Sequence, residues 1–171
     1  MATVAVLLTD DLEDVEFTHP RDALLAAGHE IEVLGPKAGE VITGKRGDAT
    51  TEVARLPGEV PTGSFDALLI PGGYSPDQLR IDEASVAFAK EMMRTGKPVA
   101  AICHAGQLLV EAGVVRDRAM TSWPSVRTEL ELAGADWSDE EVVVDDNLIT
   151  SRKPDDLDAF SRTLVDRLAD N

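Results

Sequence analysis

Short apolar runs alternate with segments of helical periodicity along the whole chain. The apolar runs predict buried strands, whereas apolar residues at helical spacing predict helices. Strands are predicted at Thr3–Thr9, Glu30–Leu34, Phe65–Ile70, Pro98–Ile102 and Ala119–Ser122, with hairpins joining Val41–Thr43 to Ala49–Val53 and Val142–Val144 to Leu148–Thr150. Helices are predicted at Val15–Ala27, Ile81–Thr95, Ala105–Ala112, Pro124–Ala133 and Pro154–Ala169. Pro20 predicts an irregular first turn or a later start for the first helix. The alternation predicts one α/β domain, residues 1–171, whose mostly parallel sheet is covered by helices on both sides.

The predicted strand at Pro98–Ile102 ends at Cys103, the only cysteine of the chain, and a helix follows almost at once. Such a sharp turn needs small residues two positions before and after the projecting side chain, and Ala101 and Ala105 are both small. The pattern is a cysteine counterpart of the G-x-S-x-G nucleophile elbow. The N-terminus of the following helix favours the thiolate and predicts a pKa of about 4–7 for Cys103. The alternative is an unreactive cysteine buried in the core.

Two further loops follow strands at the same predicted edge of the sheet, where open α/β sheets bind their ligands. Pro71–Gly73 allows close approach of the backbone, so its N–H groups are candidates for binding an oxyanion; an ordinary tight turn is the alternative. Glu16, and secondarily Glu13, lie near the start of the first helix. Turned inward beside a thiolate, Glu16 would be held protonated and could move protons. Turned outward, it is a solvated acid at a helix start.

The histidines predict no metal site. His104 is adjacent to Cys103, and neighbouring residues of a helix do not face each other, so these two side chains are predicted to diverge. His19 and His29 are most simply surface or core residues. With no H-x-x-x-H pattern and one cysteine, the sequence predicts neither a metal site nor an internal disulfide, and nothing in it requires a cofactor.

Acidic residues dominate the composition. The chain holds 32 acidic and 16 basic residues, a net charge of -16, which argues against nucleic acid and anionic membranes as partners. A surface so poor in lysine fits either a high-salt habitat or an ordinary acidic cytosolic protein. The first apolar run lacks a basic flank and stops at Asp10, which predicts a strand in a cytoplasmic protein and not a signal peptide. No run reaches the ~18 apolar residues of a membrane span.

Seven segments, taken in order, resemble the ThiJ/PfpI superfamily, and most closely its PfpI-like group of intracellular cysteine proteases and deglycases. They are Leu7–Thr9, Glu13–Glu16 followed by Pro20, Ala26–Glu30, Ala67–Gly73, Gly96–His104, Val142–Asp145 and Ser151–Arg152. The resemblance spans residues 3–168. It implies a flavodoxin-like three-layer α/β/α sandwich related to class I glutamine amidotransferase domains.

The resemblance also implies site residues. Cys103 would be the nucleophile and Glu16 its carboxyl partner, with the backbone N–H groups of Gly73 and Ala105 forming an oxyanion hole. A homodimer or higher homo-oligomer is expected.

His104 would pair with an acid of a neighbouring subunit, at the position held here by Asp77. The family's usual residue at that position is glutamate. Because aspartate is one methylene shorter, the contact is expected to be long or absent, and peptidase activity weak.

Three functions are open. The leading hypothesis is a cysteine-dependent stress-response enzyme that acts on reactive α-oxoaldehydes or glycated adducts, as a glyoxalase or deglycase. The second is an intracellular peptidase that uses Cys103, His104 and the acid in trans. The third is a redox sensor without enzymatic activity, in which Cys103 oxidises to a sulfinic acid held by Glu16.

Overall fold

The computed structural model describes residues 1–169; Asp170 and Asn171, the end of the predicted domain, lie outside the described residues. Strands and helices alternate along this part of the chain, as the sequence pattern predicts. The strands are β1 (Thr3–Leu7), β2 (Glu30–Leu34), β3 (Val41–Thr43), β4 (Thr50–Glu52), β5 (Ala67–Ile70), β6 (Val99–Ile102), β7 (Ala119–Met120), β8 (Asp136–Trp137), β9 (Val142–Asp145) and β10 (Leu148–Ser151). The helices are α1 (Asp14–Ala26), α2 (Ser75–Leu79), α3 (Glu83–Arg94), α4 (Gly106–Glu111), α5 (Arg127–Leu132) and α6 (Leu157–Ala169).

Six strands form the central sheet, in the order β2-β1-β5-β6-β10-β9. All neighbouring pairs are parallel except β9 and β10, which form the second predicted hairpin. Every residue of β5 and β6 is buried, as a parallel strand covered on both faces requires. Apolar residues of α1 and α6 pack on one face of the sheet, and those of α3, α4 and α5 pack on the other. The protein is therefore a flavodoxin-like three-layer α/β/α sandwich, as predicted.

Several local predictions were wrong. Helix α1 begins at Asp14 and continues without a break through Pro20, because Phe17, Pro20 and Leu24 are all buried and their packing holds the helix across the missing N–H. The predicted helices at Ala105 and Pro124 begin with 3-10 turns. Helix α2 and strand β8 escaped prediction because they are too short to show a hydrophobic period.

The carboxyl ends of β1, β5 and β6 bring three loops together at one edge of the sheet. The Tyr74 N–H donates to the carbonyl of Asp11 at 2.9 Å, and the Glu13 N–H donates to that of Gly72 at 3.2 Å. These bonds tie the loop after β1 to the loop after β5, so both are held rigidly beside the end of β6. Within residues 1–169, no helix combines the length and apolarity needed to cross a bilayer.

Candidate active site

Cys103 occupies a strained turn directly after β6. Its φ of +63° is left-handed, a conformation that costs a non-glycine residue about 1–3 kcal/mol and persists only where neighbouring structure holds it. Ala101 and Ala105, the small flanking residues of the predicted elbow, are both buried, and the carbonyl of Cys103 accepts a 3.1 Å hydrogen bond from the Trp123 N–H. The side chain lines a cavity of about 440 Å³. The predicted strand–turn–helix elbow is therefore present.

Glu16 turns inward and meets Cys103 across Gly72. The carboxyl is fully buried, and its Oε2 accepts a 2.8 Å hydrogen bond from the Gly72 N–H. A Cβ at position 72 would lie 2.4 Å from Glu16 Oε2 and 2.6 Å from the Cβ of Cys103. Only glycine leaves room for this approach. Of the two orientations considered for Glu16, the structure shows the inward one.

Glu16 and Cys103 both have a raised pKa, chiefly because both groups are buried. Burial raises the pKa of Glu16 to about 8, against a hydrogen bond from Gly72 that lowers it. Burial, and then the negative charge of Glu16, raise the pKa of the Cys103 thiol above its ordinary value, although the backbone N–H groups of Gly73 and His104 act in the opposite direction. Below a pH of about 8, Glu16 holds its proton, and its charge no longer opposes ionisation of the thiol.

The low pKa expected for Cys103 from the sequence is therefore wrong in direction. The prediction relied on the N-terminus of the following helix to lower the pKa of Cys103. That helix, α4, has only 6 residues and is preceded by a 3-10 turn. The prediction left out two factors that raise the pKa: the burial of Cys103, which is 8% exposed, and the neighbouring carboxyl of Glu16.

The side chains of Cys103 and His104 do not diverge, so the prediction that they point apart is wrong. Its Nδ1 lies 3.1 Å from the Cys103 Sγ. The rule that adjacent residues face apart holds within a helix, whereas the positive φ of Cys103 turns both side chains toward the cavity. The ring stacks on Trp123, with centroids 6.5 Å apart. Burial, followed by the charge of Lys45, lowers the pKa of His104, so its imidazole is neutral at neutral pH.

Asp77 lies on α2 with its side chain exposed. Its charge raises the pKa of His104 from within the same chain, although no hydrogen bond joins the two among residues 1–169. The contact of His104 with an Asp77 of another subunit remains a prediction.

Gly73 and Ala105 occupy the expected positions around the thiol. Gly73 has a φ of +75°, and a Cβ there would lie 2.3 Å from the backbone nitrogen of Glu13, so glycine is required. Its N–H acts on the Cys103 thiol and lowers the pKa of that group. Ala105 is buried in the 3-10 turn. Oxyanion binding by these two N–H groups remains a prediction.

Two cations at the cavity were not predicted. Lys45 and Arg46 form the turn between β3 and β4, and both line the cavity together with Glu13. The Lys45 Nζ contacts Glu13 Oε2, and the Arg46 Nε lies 3.1 Å from Glu13 Oε1. Glu13 is therefore a buried, ion-paired acid at the rim. The sequence feature that could have indicated Lys45 and Arg46 is a basic pair flanked by Gly44 and Gly47 in a strongly acidic chain.

Asp14 holds this turn in place. Its carboxylate, which is 1% exposed, accepts hydrogen bonds from the backbone N–H groups of Arg46 at 2.9 Å, Asp48 at 2.8 Å and Ala49 at 2.8 Å. These three bonds keep the pKa of Asp14 below its ordinary value, against its burial. The anchor explains how residues 44–49 reach a site formed by the ends of β1, β5 and β6.

A second cavity of about 440 Å³ lies between α1 and α6. There, His19 Nδ1 lies 3.0 Å from Ser161 Oγ, and His19 Nε2 lies 2.9 Å from Asp158 Oδ1. The Ser161 side chain is buried within α6, so its hydroxyl is not open to a substrate. The cavity beside Cys103 is therefore the candidate active site. Among residues 1–169, no group of three or more His, Cys, Asp or Glu side chains is arranged to hold a metal ion.

The family model described as the DJ-1/PfpI family matches residues 2–167. This chain belongs to the DJ-1/PfpI family. It is 48% identical over 160 residues to protein/nucleic acid deglycase 2 of Escherichia coli, covering 93% of each chain. It is 49% identical over 160 residues to general stress protein 18 of Bacillus subtilis, again covering 93% of each.

A third relative, YraA of Bacillus subtilis, is named only provisionally as a cysteine protease; it is 43% identical over 165 residues, covering 96% of this chain and 97% of YraA. Among solved structures, a two-domain protein of Anabaena variabilis with DJ-1/ThiJ/PfpI-like and ferritin-like domains superposes with a TM-score of 0.97 at 41% identity. That likeness covers 99% of this chain and 48% of the other. The recognition of the ThiJ/PfpI superfamily from sequence motifs is confirmed.

Proposed function

We propose that this member of the DJ-1/PfpI family is a stress-response enzyme that uses Cys103 against reactive α-oxoaldehydes or glycated adducts. The observation that carries the proposal is the meeting of a strained cysteine with a buried, protonated carboxyl, Glu16, in a cavity large enough for a small carbonyl compound. The names of two relatives, a deglycase and a general stress protein, support the same class of activity.

The first step is addition of the Cys103 sulfur to the aldehyde carbon of a substrate such as methylglyoxal. His104 Nδ1, 3.1 Å from the sulfur and neutral at neutral pH, accepts the thiol proton as the carbon–sulfur bond forms. The protonated Glu16 gives its proton to the former carbonyl oxygen, which forms a hemithioacetal and leaves Glu16 as a carboxylate, while His104 keeps the thiol proton. The N–H groups of Gly73 and Ala105 stabilise the negative charge that develops on that oxygen.

Glu16 then moves a proton between the two substrate carbons. As a carboxylate it removes the proton from the carbon bound to sulfur, while protonated His104 gives its proton to the ketone oxygen, and an enediol forms. Glu16 then returns its proton to the neighbouring carbon as His104 takes the hydroxyl proton from the carbon bound to sulfur. The product is a thioester of a 2-hydroxy acid, which water hydrolyses to lactate and the free thiol. One carbon is oxidised as the other is reduced, so the reaction needs no external oxidant. A pKa of about 8 for Glu16 suits both directions of transfer near neutral pH.

Peptide hydrolysis is the second candidate, and the contact between Cys103 and His104 favours it. A cysteine with a neutral histidine 3.1 Å away is the arrangement that activates a thiol for attack on a carbonyl. The provisional name of YraA supports the same chemistry. The histidine lacks an acid hydrogen-bonded to it among residues 1–169; its Nε2 lies 3.4 Å from the hydroxyl of Ser125.

Parallel assays of the wild type and Cys103→Ala on methylglyoxal and on an unstructured peptide separate these functions. Lactate formation that is lost in Cys103→Ala supports the glyoxalase or deglycase proposal. Peptide cleavage without lactate formation supports the peptidase. If neither product forms while peroxide oxidises Cys103 selectively, the protein is a sensor and both proposals are wrong.

A further inference from the structure

Lys45 and Arg46 line the cavity of a protein whose formal net charge is -16. Lys45 and Arg46 face one carboxylate, that of Glu13, and Glu16 is neutral below a pH of about 8. Among the residues that line the cavity, two cations therefore face one ionised acid. An excess of cation at a cavity in so acidic a chain points to a ligand that carries negative charge.

Neither cation is fully used by the protein. Arg46 contacts Glu13 through Nε, and its side chain is 66% exposed, so its two terminal amino groups are open to a ligand. Lys45 is 33% exposed, and its ammonium lies 5.8 Å from the ring centroid of Tyr74. The backbone of this turn is fixed by Asp14, so the two charges are held at the rim before any ligand arrives.

The two cations line the same cavity as the thiol of Cys103. Cys103 is among the groups that raise the pKa of Lys45, and Lys45 in turn lowers the pKa of His104. A molecule whose carbonyl carbon meets the sulfur of Cys103 therefore occupies the cavity that Lys45 and Arg46 line.

We propose that Lys45 and Arg46 form an anion subsite that selects carbonyl substrates bearing a carboxylate or phosphate group over neutral ones. The proposal rests on the proposed role of Cys103 as the nucleophile. The subsite binds the anionic group by charge-assisted hydrogen bonds, and Glu13 holds the two side chains in position and moderates their charge. Neutral aldehydes such as methylglyoxal react at Cys103 without using the subsite.

Alkylation of Cys103 by iodoacetate and iodoacetamide tests the subsite without requiring turnover. The two reagents have nearly the same shape and differ in charge, so the ratio of their rates cancels any change in the pKa of the thiol. We expect the iodoacetate-to-iodoacetamide ratio to fall about 3- to 10-fold in Lys45→Met and in Arg46→Met, and to fall with added salt. It rises in Glu13→Gln.

Lys37→Met is the matched control. This lysine is exposed and pairs with Asp10 at 2.8 Å, so the variant loses the same charge away from the cavity. Its ratio stays at the wild-type value. Equal ratios in the wild type, Lys45→Met, Arg46→Met and Lys37→Met overturn the subsite.

Thermal unfolding in inorganic phosphate gives a second readout that does not depend on the thiol. Phosphate raises the Tm of the wild type and Lys37→Met above that in sodium chloride of equal ionic strength, because a ligand stabilises the state that binds it. The rise is absent in Lys45→Met and Arg46→Met. An equal rise in all four proteins, or none in the wild type, contradicts the subsite. Failure to form lactate from methylglyoxal contradicts the proposed function and leaves both of these readouts intact.

Discussion

The backbone N–H of Gly72 donates a 2.8 Å hydrogen bond to Oε2 of Glu16, and the absent side chain of this glycine leaves the space in which Glu16 and Cys103 meet. The other oxygen of the carboxyl, Oε1, is buried and has no further hydrogen-bond partner among residues 1–169. One oxygen thus orients the carboxyl, and the other is left for the thiol or a substrate.

Gly72→Ala tests this relationship. The added methyl group would lie 2.4 Å from Glu16 Oε2, so the carboxyl or the elbow must shift. We expect a loss of about 1–3 kcal/mol in the free energy of unfolding and a larger proportional loss of methylglyoxal turnover. Gly63→Ala is the matched control, because a Cβ at that position meets nothing within 4 Å. If Gly72→Ala behaves like Gly63→Ala, the close approach is unimportant.

The raised pKa of Glu16 makes stability depend on pH. Its ordinary value is 4.5 and its value in the folded protein is about 8, so between these values the folded state retains a proton that the unfolded state has lost. Stability therefore falls as the pH rises through this window, by up to about 1.4 kcal/mol per pH unit. In Glu16→Gln this contribution is absent, so the variant gains stability relative to the wild type toward pH 8 in urea unfolding. If the difference in the free energy of unfolding between Glu16→Gln and the wild type does not vary with pH, the pKa of Glu16 is not raised by folding.

Glu16→Gln also tests the proton transfer. The amide keeps the shape of the side chain and can still donate a hydrogen bond to sulfur, but it cannot carry a proton. We expect turnover to fall by ~10²–10⁴-fold, the usual contribution of a general acid–base group. Glu13→Gln serves as the comparison, since Glu13 is ion-paired at the rim. If Glu16→Gln retains turnover and Glu13→Gln loses it, the proton is transferred by Glu13 and not by Glu16.

Oligomerisation and Asp77 are tested together. We expect light scattering at micromolar concentration to show a dimer or larger assembly, since symmetric dimers are the commonest oligomers. Asp77→Asn is expected to keep methylglyoxal turnover, because the proposed chemistry needs Cys103, Glu16 and the oxyanion N–H groups. A monomer contradicts the first expectation. Loss of turnover with the assembly preserved would make this acid part of the chemistry.

The features predicted correctly are those that depend on residues close together in the sequence. Buried strands appear as apolar runs, and the elbow appears as a cysteine between a strand and a helix with Ala101 and Ala105 around it. The inward turn of Glu16 was one of two open alternatives, because its burial depends on Gly72, which lies 56 residues away.

The features missed depend on contacts between distant segments. Lys45 and Arg46 reach the cavity because Asp14 binds the backbone of their turn from 32 to 35 residues away. The approach of His104 to Cys103 depends on a backbone angle that no residue pattern specifies for cysteine. The raised pKa of the thiol follows from burial, which periodicity predicts for the strand but not for the turn after it.

The most direct test of the account is the site at which a substrate becomes covalently bound. The wild type and Cys103→Ala are mixed with methylglyoxal, quenched in acid within a few turnovers, and mapped by peptide mass spectrometry. The account predicts one substrate-derived adduct on the peptide that contains Cys103 in the wild type, and no lactate formation by Cys103→Ala. Adducts confined to lysine and arginine residues, with lactate formed equally by both proteins, would contradict it.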